Sequence, residues 1–401
     1  MKRLLLISIF SLLLCSCGDR DPYKMTFVSM SSLEIKDDFW TPYYLIHKDI
    51  TLPLAVSWTE SHFDSPMVYK AAEGIEYSIQ FEEDTDLKVK RSTWMTRLNN
   101  ETGQRRTAPD TCDVSRAVSK VFTDAEELSL SGDGEYVDEL EQIIYNEVLP
   151  GISLKGDSFF SDIPESSDGE WRRMAWDETP GSAMDLFRVI PFVGNVAYAT
   201  SKDALWVNLY LGGDAKVNIL GENVTIHQET DYPWDGYSAL TLGLPKPVKA
   251  EIRLRIPSWC EDFTITVNGS PVNALIDSGY AVLNRKWQGG DKIELVLDMP
   301  VRIVETTIVG AGCNGMRAIQ RGPVIYCMEE EDSPEGFDTL SLSENMEYSF
   351  EKLPKQKWFG HELMRISARS SGSQPLTLIP YFAWGNRAPG KMEVFIPFAS
   401  E

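Results

Sequence analysis

The sequence predicts a multidomain α + β protein, with a helical first half and antiparallel β-sandwich domains behind it. Three observations carry that reading. Between residues 114 and 148 apolar side chains recur at helical spacing. Beyond residue 200 they alternate in short runs punctuated by Gly, Pro and Asn-Gly. The chain has 401 residues and is 43% hydrophobic, enough material for more than one buried core.

The opening "MKRLLLISIFSLLLCSCGDR" has a basic start, a short apolar run and a small-residue region, the pattern of an export signal. Within it, Ser16 before Cys17 resembles a bacterial lipobox, so residues 1–17 are read as a lipoprotein signal with Cys17 as the lipidation site. This places the protein in a bacterial cell envelope, lipid-anchored to a membrane at the periplasmic face or cell surface. "FVSMSSLEIKDDFW" reads as a strand leading to an aromatic anchor at Phe39-Trp40, followed by helical stretches over 43–61 and 67–81. Residues 82–109 are charged and lack a sustained apolar period, which predicts mostly loop.

From Cys112 onward the helical period is clear. Val114, Ala117, Val118, Val121, Phe122, Ala125 and Leu128 share one face, "SGDGE" breaks the run, and Tyr136, Val137, Leu140, Ile143, Ile144 and Val148 define a second helix. The pair predicts an antiparallel hairpin. In "WDETPGSAMDLFR" Ser182 and Asp185 have the spacing of a capping box for a third helix, which Pro191 is expected to kink or end. "ALWVNLYLG", "AEIRLRIPSW", "FTITVNG", "YAVLNRKW" and "KIELVLDMP" then alternate as antiparallel strands, with Asn268-Gly269 as a tight hairpin turn. Domain boundaries follow: a helical domain over 27–200, a sandwich over 201–300 and a second sandwich over 301–401.

The formal charge of −22 repels phosphate backbones and argues against a nucleic-acid partner. With Cys15 removed and Cys17 lipidated, Cys112, Cys260, Cys313 and Cys327 are too scattered for a disulfide scaffold. Cys260 and Cys327 lie in strand-like runs and read as small buried side chains.

Several strings together resemble glycoside hydrolase family 127, the β-L-arabinofuranosidases: "DTCDVSRAVSKVF", "GDGEYVDELEQIIYNEVLPGISLKGDSFF", "QETDYPWDG", "LRIPSWC", "GYAVLNRKWQGGDKIELVLDMPVR", "QRGPVIYCME" and "IPYFAWGNRAPGKMEVFIP". The resemblance implies an (α/α)6 toroid, abbreviated here, followed by β-sandwiches, and action on an arabinose-containing glycan, plant-type or other. It also implies a zinc-held cysteine thiolate as nucleophile, with a glutamate and two further cysteines as ligands and a second glutamate as acid/base.

Carried over residue by residue, that site is incomplete. Asp110-Thr111-Cys112 stands where the family has Glu-Thr-Cys, which leaves Asp110 and Cys112 as metal ligands. Counting from the landmarks Trp176 and Arg188, read as substrate-binding positions, the family's cysteine pair falls on Gly181 and Ser182. Two ligands do not close a tetrahedral zinc site, so zinc is expected to be absent or incompletely held. Glu101 is the nearest carboxylate for the acid/base role. Asp177, Glu178 and Asp185 are further carboxylates near the motif, with a solvated loop and a helix cap as their plainer identities, and a plain i,i+3 ion pair with Asp185 as that of Arg188. His47 and His62 read as structural or surface histidines.

Two functions follow from these residues. One is a glycosidase using a carboxylate pair drawn from Glu101, Asp110, Asp177, Glu178 and Asp185. The other is a catalytically silent relative that binds a glycan or an envelope partner, with Trp171, Trp176, Trp206, Trp234 and Trp384 as stacking surfaces. A shortened toroid would also expose apolar helix faces, which repacking, a partner or a homodimer would cover.

Overall fold

The structure is a computed structural model that describes residues 25–62, 65, 67, 70–71, 74–75, 78, 114–305, 316–332, 337, 340–369 and 375–399. Two helices open it, α1 (Trp40–Ile46) and α2 (Leu52–Ser61), joined through a π-helical turn at His47–Thr51 into one continuous helical segment. Asp37 starts it by accepting N–H bonds from Phe39 and Trp40. Residues 70, 71, 74, 75 and 78 are helical too. None of the helices among the described residues is long and apolar enough to cross a membrane.

The predicted hairpin is present as α3 (Val114–Ser131) and α4 (Gly134–Ile143). Its apolar stripe faces inward: Val114, Ala117, Val118, Val121, Ala125 and Leu128 of α3 are buried, as are Val137, Leu140 and Ile143 of α4. Each such Val, Leu or Ile contributes roughly 1.5–3 kcal/mol through burial, so the stripe fixes which face packs. Asp133 caps α4 by accepting from Glu135 N at 3.1 Å.

The third helix, α5 (Pro180–Ala197), differs from expectation at its start and runs on past Pro191. Thr179 is its N-cap, with Pro180 at the first helical position, and Ser182 lies buried inside the first turn rather than capping it. Pro191 does not end the helix, which continues to Ala197 with nearly every side chain buried. Packing from all sides outweighs the single N–H that proline cannot donate.

A six-stranded sheet has the order Thr26–Phe27, Tyr198–Thr200, Ala204–Val207, Val248–Arg255, Tyr280–Trp287, Leu275–Asp277. A seven-stranded sheet runs Ser270–Pro271, Phe263–Val267, Lys292–Leu297, Tyr237–Gly243, Glu222–Thr230, Gly213–Ile219, Leu33–Ile35. Residues 26–35, which the sequence placed at the start of the helical region, therefore hydrogen-bond into both sheets. One pair, Ala204–Val207 with Val248–Arg255, is parallel, an exception to the antiparallel expectation. At the predicted hairpin Asn268 and Gly269 both take positive φ, 53° and 75°, and Val267 faces Ser270.

The third sheet is built on Val301–Glu305, Met316–Arg321, Val324–Glu329, Leu376–Pro380, Leu363–Arg369 and Glu347–Leu353. Strand Ser166–Asp168, from the connection between α4 and α5, joins it through Lys391–Glu393. Cys260 and Cys327 are buried free thiols, as the sequence predicts, and burial pushes the Cys260 thiol up to about 11.

The hairpin is bolted to the first sandwich by charge. Arg255, fully buried, reaches Asp138 and Glu141 of α4, each at 2.6 Å, and donates to Asn208 O at 2.7 Å. Tyr232 donates its hydroxyl to Glu141 at 2.7 Å.

Candidate functional site

The motif singled out in the sequence lies where α5 begins. A 3-10 turn, Trp176–Glu178, feeds the helix, and Glu178 stabilises it by accepting from Ala175 N at 3.0 Å. Glu178 and Asp177 are exposed, Thr179 and Ser182 buried.

One turn into α5, Asp185 organises the strongest polar cluster of this region. Its carboxylate is 2% exposed and accepts from Lys70 Nζ at 2.5 Å, Ser115 Oγ at 2.5 Å and Arg188 at 2.9 Å. Three elements meet there: the helical residues around Lys70, the first turn of α3, and α5. Among the described residues two cations share this one carboxylate, in a place only partly open to water. Arg188 also lies over the Phe122 ring, 5.0 Å from its centroid. The predicted i,i+3 pair of Asp185 and Arg188 therefore exists, as part of a larger buried network.

Close approach of the helices explains the local residue choices. A Cβ on Gly74 would meet the Phe187 ring at 2.2 Å, so only glycine lets the two helices touch there. His47 stacks on the other ring contact of Phe187 with centroids 5.0 Å apart and shares a 2.9 Å hydrogen bond with Ser78. Burial lowers the His47 pKa to about 3, so the ring is neutral.

Trp176 requires a correction. It is 4% exposed and packs edge-on against Phe159 and Phe187, centroids 5.2 and 6.1 Å away, so it supports the start of α5 from within the core instead of offering a stacking face. Trp206, Trp234 and Trp384 are buried likewise, and only Trp171 of the proposed stacking set is exposed. Glu101, Asp110, Cys112 and Cys17 lie outside the described residues.

The described donors at this place do not fit a zinc-thiolate centre. Gly181 has no side chain, and among the described residues the nearest atom to a Cβ there would be Met67 Sδ at 4.0 Å. Ser182 offers a hydroxyl and Asp185 is already neutralised by two cations. Among the described residues no group of three or more His, Cys, Asp or Glu is placed to hold a metal ion.

Sequence reasoning missed Lys70 and Ser115, which stand 115 and 70 residues from Asp185. Neither carries a local signal: Ser115 reads as a polar position on an amphipathic helix.

Comparison with known proteins decides the family. The model for the β-L-arabinofuranosidase GH127 middle domain matches residues 204–299, and that for the GH127 C-terminal domain matches 301–397. The chain belongs to glycoside hydrolase family 127. This family 127 chain is 28% identical over 313 residues to the non-reducing end β-L-arabinofuranosidase of Bifidobacterium longum subsp. longum, a match covering 67% of this chain and 46% of that enzyme. It thus spans about half the length of the curated relative it matches.

Two solved structures share the fold of the family 127 chain. A GH127 β-arabinofuranosidase superposes with a TM-score of 0.82 at 19% identity, covering 94% of this chain and 98% of that one. The GH127 β-L-arabinofuranosidase of Geobacillus stearothermophilus T6 gives 0.66 at 28% identity, covering 82% and 59%.

Proposed function

We propose that this family 127 chain engages L-arabinofuranose-containing glycans and that its zinc-thiolate chemistry is lost. The relatives named β-L-arabinofuranosidases support the sugar. The observation that carries the second part is the first turn of α5, where Gly181 and Ser182 stand at the positions read as the family's cysteine pair. A hydroxyl is a poor ligand for zinc and a weak nucleophile without a base beside it. We read the helical elements as part of an (α/α)6-type toroid, and Cys17 as a lipid anchor that holds the protein in a bacterial envelope.

The test is an assay of purified protein on an aryl β-L-arabinofuranoside and on arabinofuranosyl oligosaccharides, with and without added zinc. No sugar release is expected, together with saturable binding of the oligosaccharides. Turnover abolished by Glu178→Gln would establish instead a carboxylate-driven glycosidase and overturn this reading.

A further inference from the structure

A cleft of about 510 Å³ opens at the end of the seven-stranded sheet, away from the start of α5. α5 itself separates the two places: its 18 residues span ~27 Å at 1.5 Å per residue. Beyond its far end, Tyr198 donates its hydroxyl to Gln228, one of the residues lining the cleft.

The cleft is built by strand alternation. His227 and Glu229 point outward from strand Glu222–Thr230 while Gln228 between them is buried. Gly212 and Gly213 line it without side chains, and a Cβ on Gly213 would lie 2.1 Å from Glu34 O, so the strand pairing itself demands the bare surface. Asp37 beneath has its carboxylate committed to the N–H groups of Phe39, Trp40 and Gly212. The opposite wall is the turn carrying Asp231, Asp235 and Tyr237.

The volume suits one or two sugar rings. Lys36 and His227 line it while held by Asp214 at 3.0 and 2.9 Å, which leaves a third N–H of the Lys36 ammonium and the Nε2 edge of His227 for a ligand; Glu229, Asp231 and Asp235 offer carboxylate oxygens, and the half-buried Tyr237 ring supplies an apolar wall. Asp235 uses one carboxylate oxygen to accept from Tyr237 N at 2.8 Å, and Asp231 one to pair with Lys352 at 3.1 Å. The excess of carboxylates repels phosphates and uronates. These acids are also not gathered tightly enough for a cation, since no metal-holding group occurs among the described residues.

We propose that this cleft is a glycan subsite for a neutral, polyhydroxylated sugar, distinct from the start of α5. The assignment rests on the glycan-directed reading above and moves the binding to the sandwich. The test titrates the full chain with four probes: an arabinofuranose pentasaccharide, cellopentaose, an oligogalacturonate and a lysine-rich peptide. Three proteins are compared, the parent, a cleft variant carrying Glu229→Ala and Asp235→Asn, and Asp177→Ala/Glu178→Ala at the start of α5. All substituted side chains are exposed, and unchanged melting checks that folding is intact.

The expected result is binding of a neutral oligosaccharide at least tenfold weaker in the cleft variant and unchanged in the α5 variant. Binding unaffected by the cleft variant, or confined to the peptide or the oligogalacturonate, overturns the subsite. Cellopentaose bound in the cleft while the arabinofuranose probe is ignored would uphold the subsite and sink the arabinose reading. Absence of binding to both neutral sugars overturns both.

Discussion

Asp185 shows what a single carboxylate does in this molecule. It is 2% exposed and holds Lys70 and Arg188, themselves 19% and 10% exposed in their side chains. Asp185→Asn removes the charge that Lys70 and Arg188 share in a poorly solvated place, and should cost about 3 kcal/mol of folding free energy by urea denaturation. A loss under half a kcal/mol would mean that the cluster is solvated in solution. Asp37 makes a second prediction, through pH. Burial raises its pKa from 3.8 to about 6. Between those values the folded chain holds a proton that the unfolded chain has released, so the Asp37 contribution to stability falls as pH rises through this window. Asp37→Asn keeps the acceptor for Phe39 and Trp40, gives up the one facing Gly212 N, and removes the titration, so the test reads the pH dependence of the difference and not its offset. The stability of parent minus variant should therefore drop by about 2–3 kcal/mol from pH 4 to pH 7, and a flat difference curve would refute the assignment. His47 and His361, whose pKa values burial lowers to about 3 and about 4, act with the opposite sign but equally in both proteins.

At the scale of elements, the joint between hairpin and sandwich is ionic where a packed apolar contact would also serve. Arg255→Ala strands Glu141, which is 1% exposed, and should cost about 3–5 kcal/mol. The pair Arg255→Met with Glu141→Leu should cost clearly less than the sum of the two single changes, which a double-mutant cycle measures. Additivity would show that the two groups do not interact. Much of this was legible before the structure: apolar spacing gave the buried face of α3 and α4, and in the first sandwich Asn268-Gly269 gave a β-hairpin turn through the positive φ both residues adopt. The start of α5 was not legible. Ser182 and Asp185 have capping spacing, yet Pro180, two residues before Ser182, claims the first helical position, and tertiary packing then buries both.

At the scale of the molecule, the prediction concerns metal. If the α5 cluster, with its own two cations, is complete without zinc, then melting curves in excess EDTA and in added zinc should superimpose, and metal analysis should find well under one zinc per chain. A zinc-dependent rise in Tm of several degrees would show that residues beyond the described set rebuild a site. The strands Thr26–Phe27 and Leu33–Ile35 add a further whole-molecule feature: they stitch the start of the chain into both sandwich sheets, so the helical elements are anchored to the sandwich at both ends.

The order of residues was enough to give the helices from residue 114 onward, the strand-rich region beyond residue 200, the faces that turn inward and the strings that mark family 127, because periodicity and turn chemistry are local properties. It also fixed the absence of thiols at 181 and 182. Which groups meet was decided only by the fold. Trp176 became a core residue because Phe159 and Phe187 close around it, and Asp185 found Lys70 and Ser115 across 115 and 70 residues of chain. Alternation and spacing report the side of an element that is buried, whereas the partner waiting there depends on how distant elements pack, a relation that no short window contains.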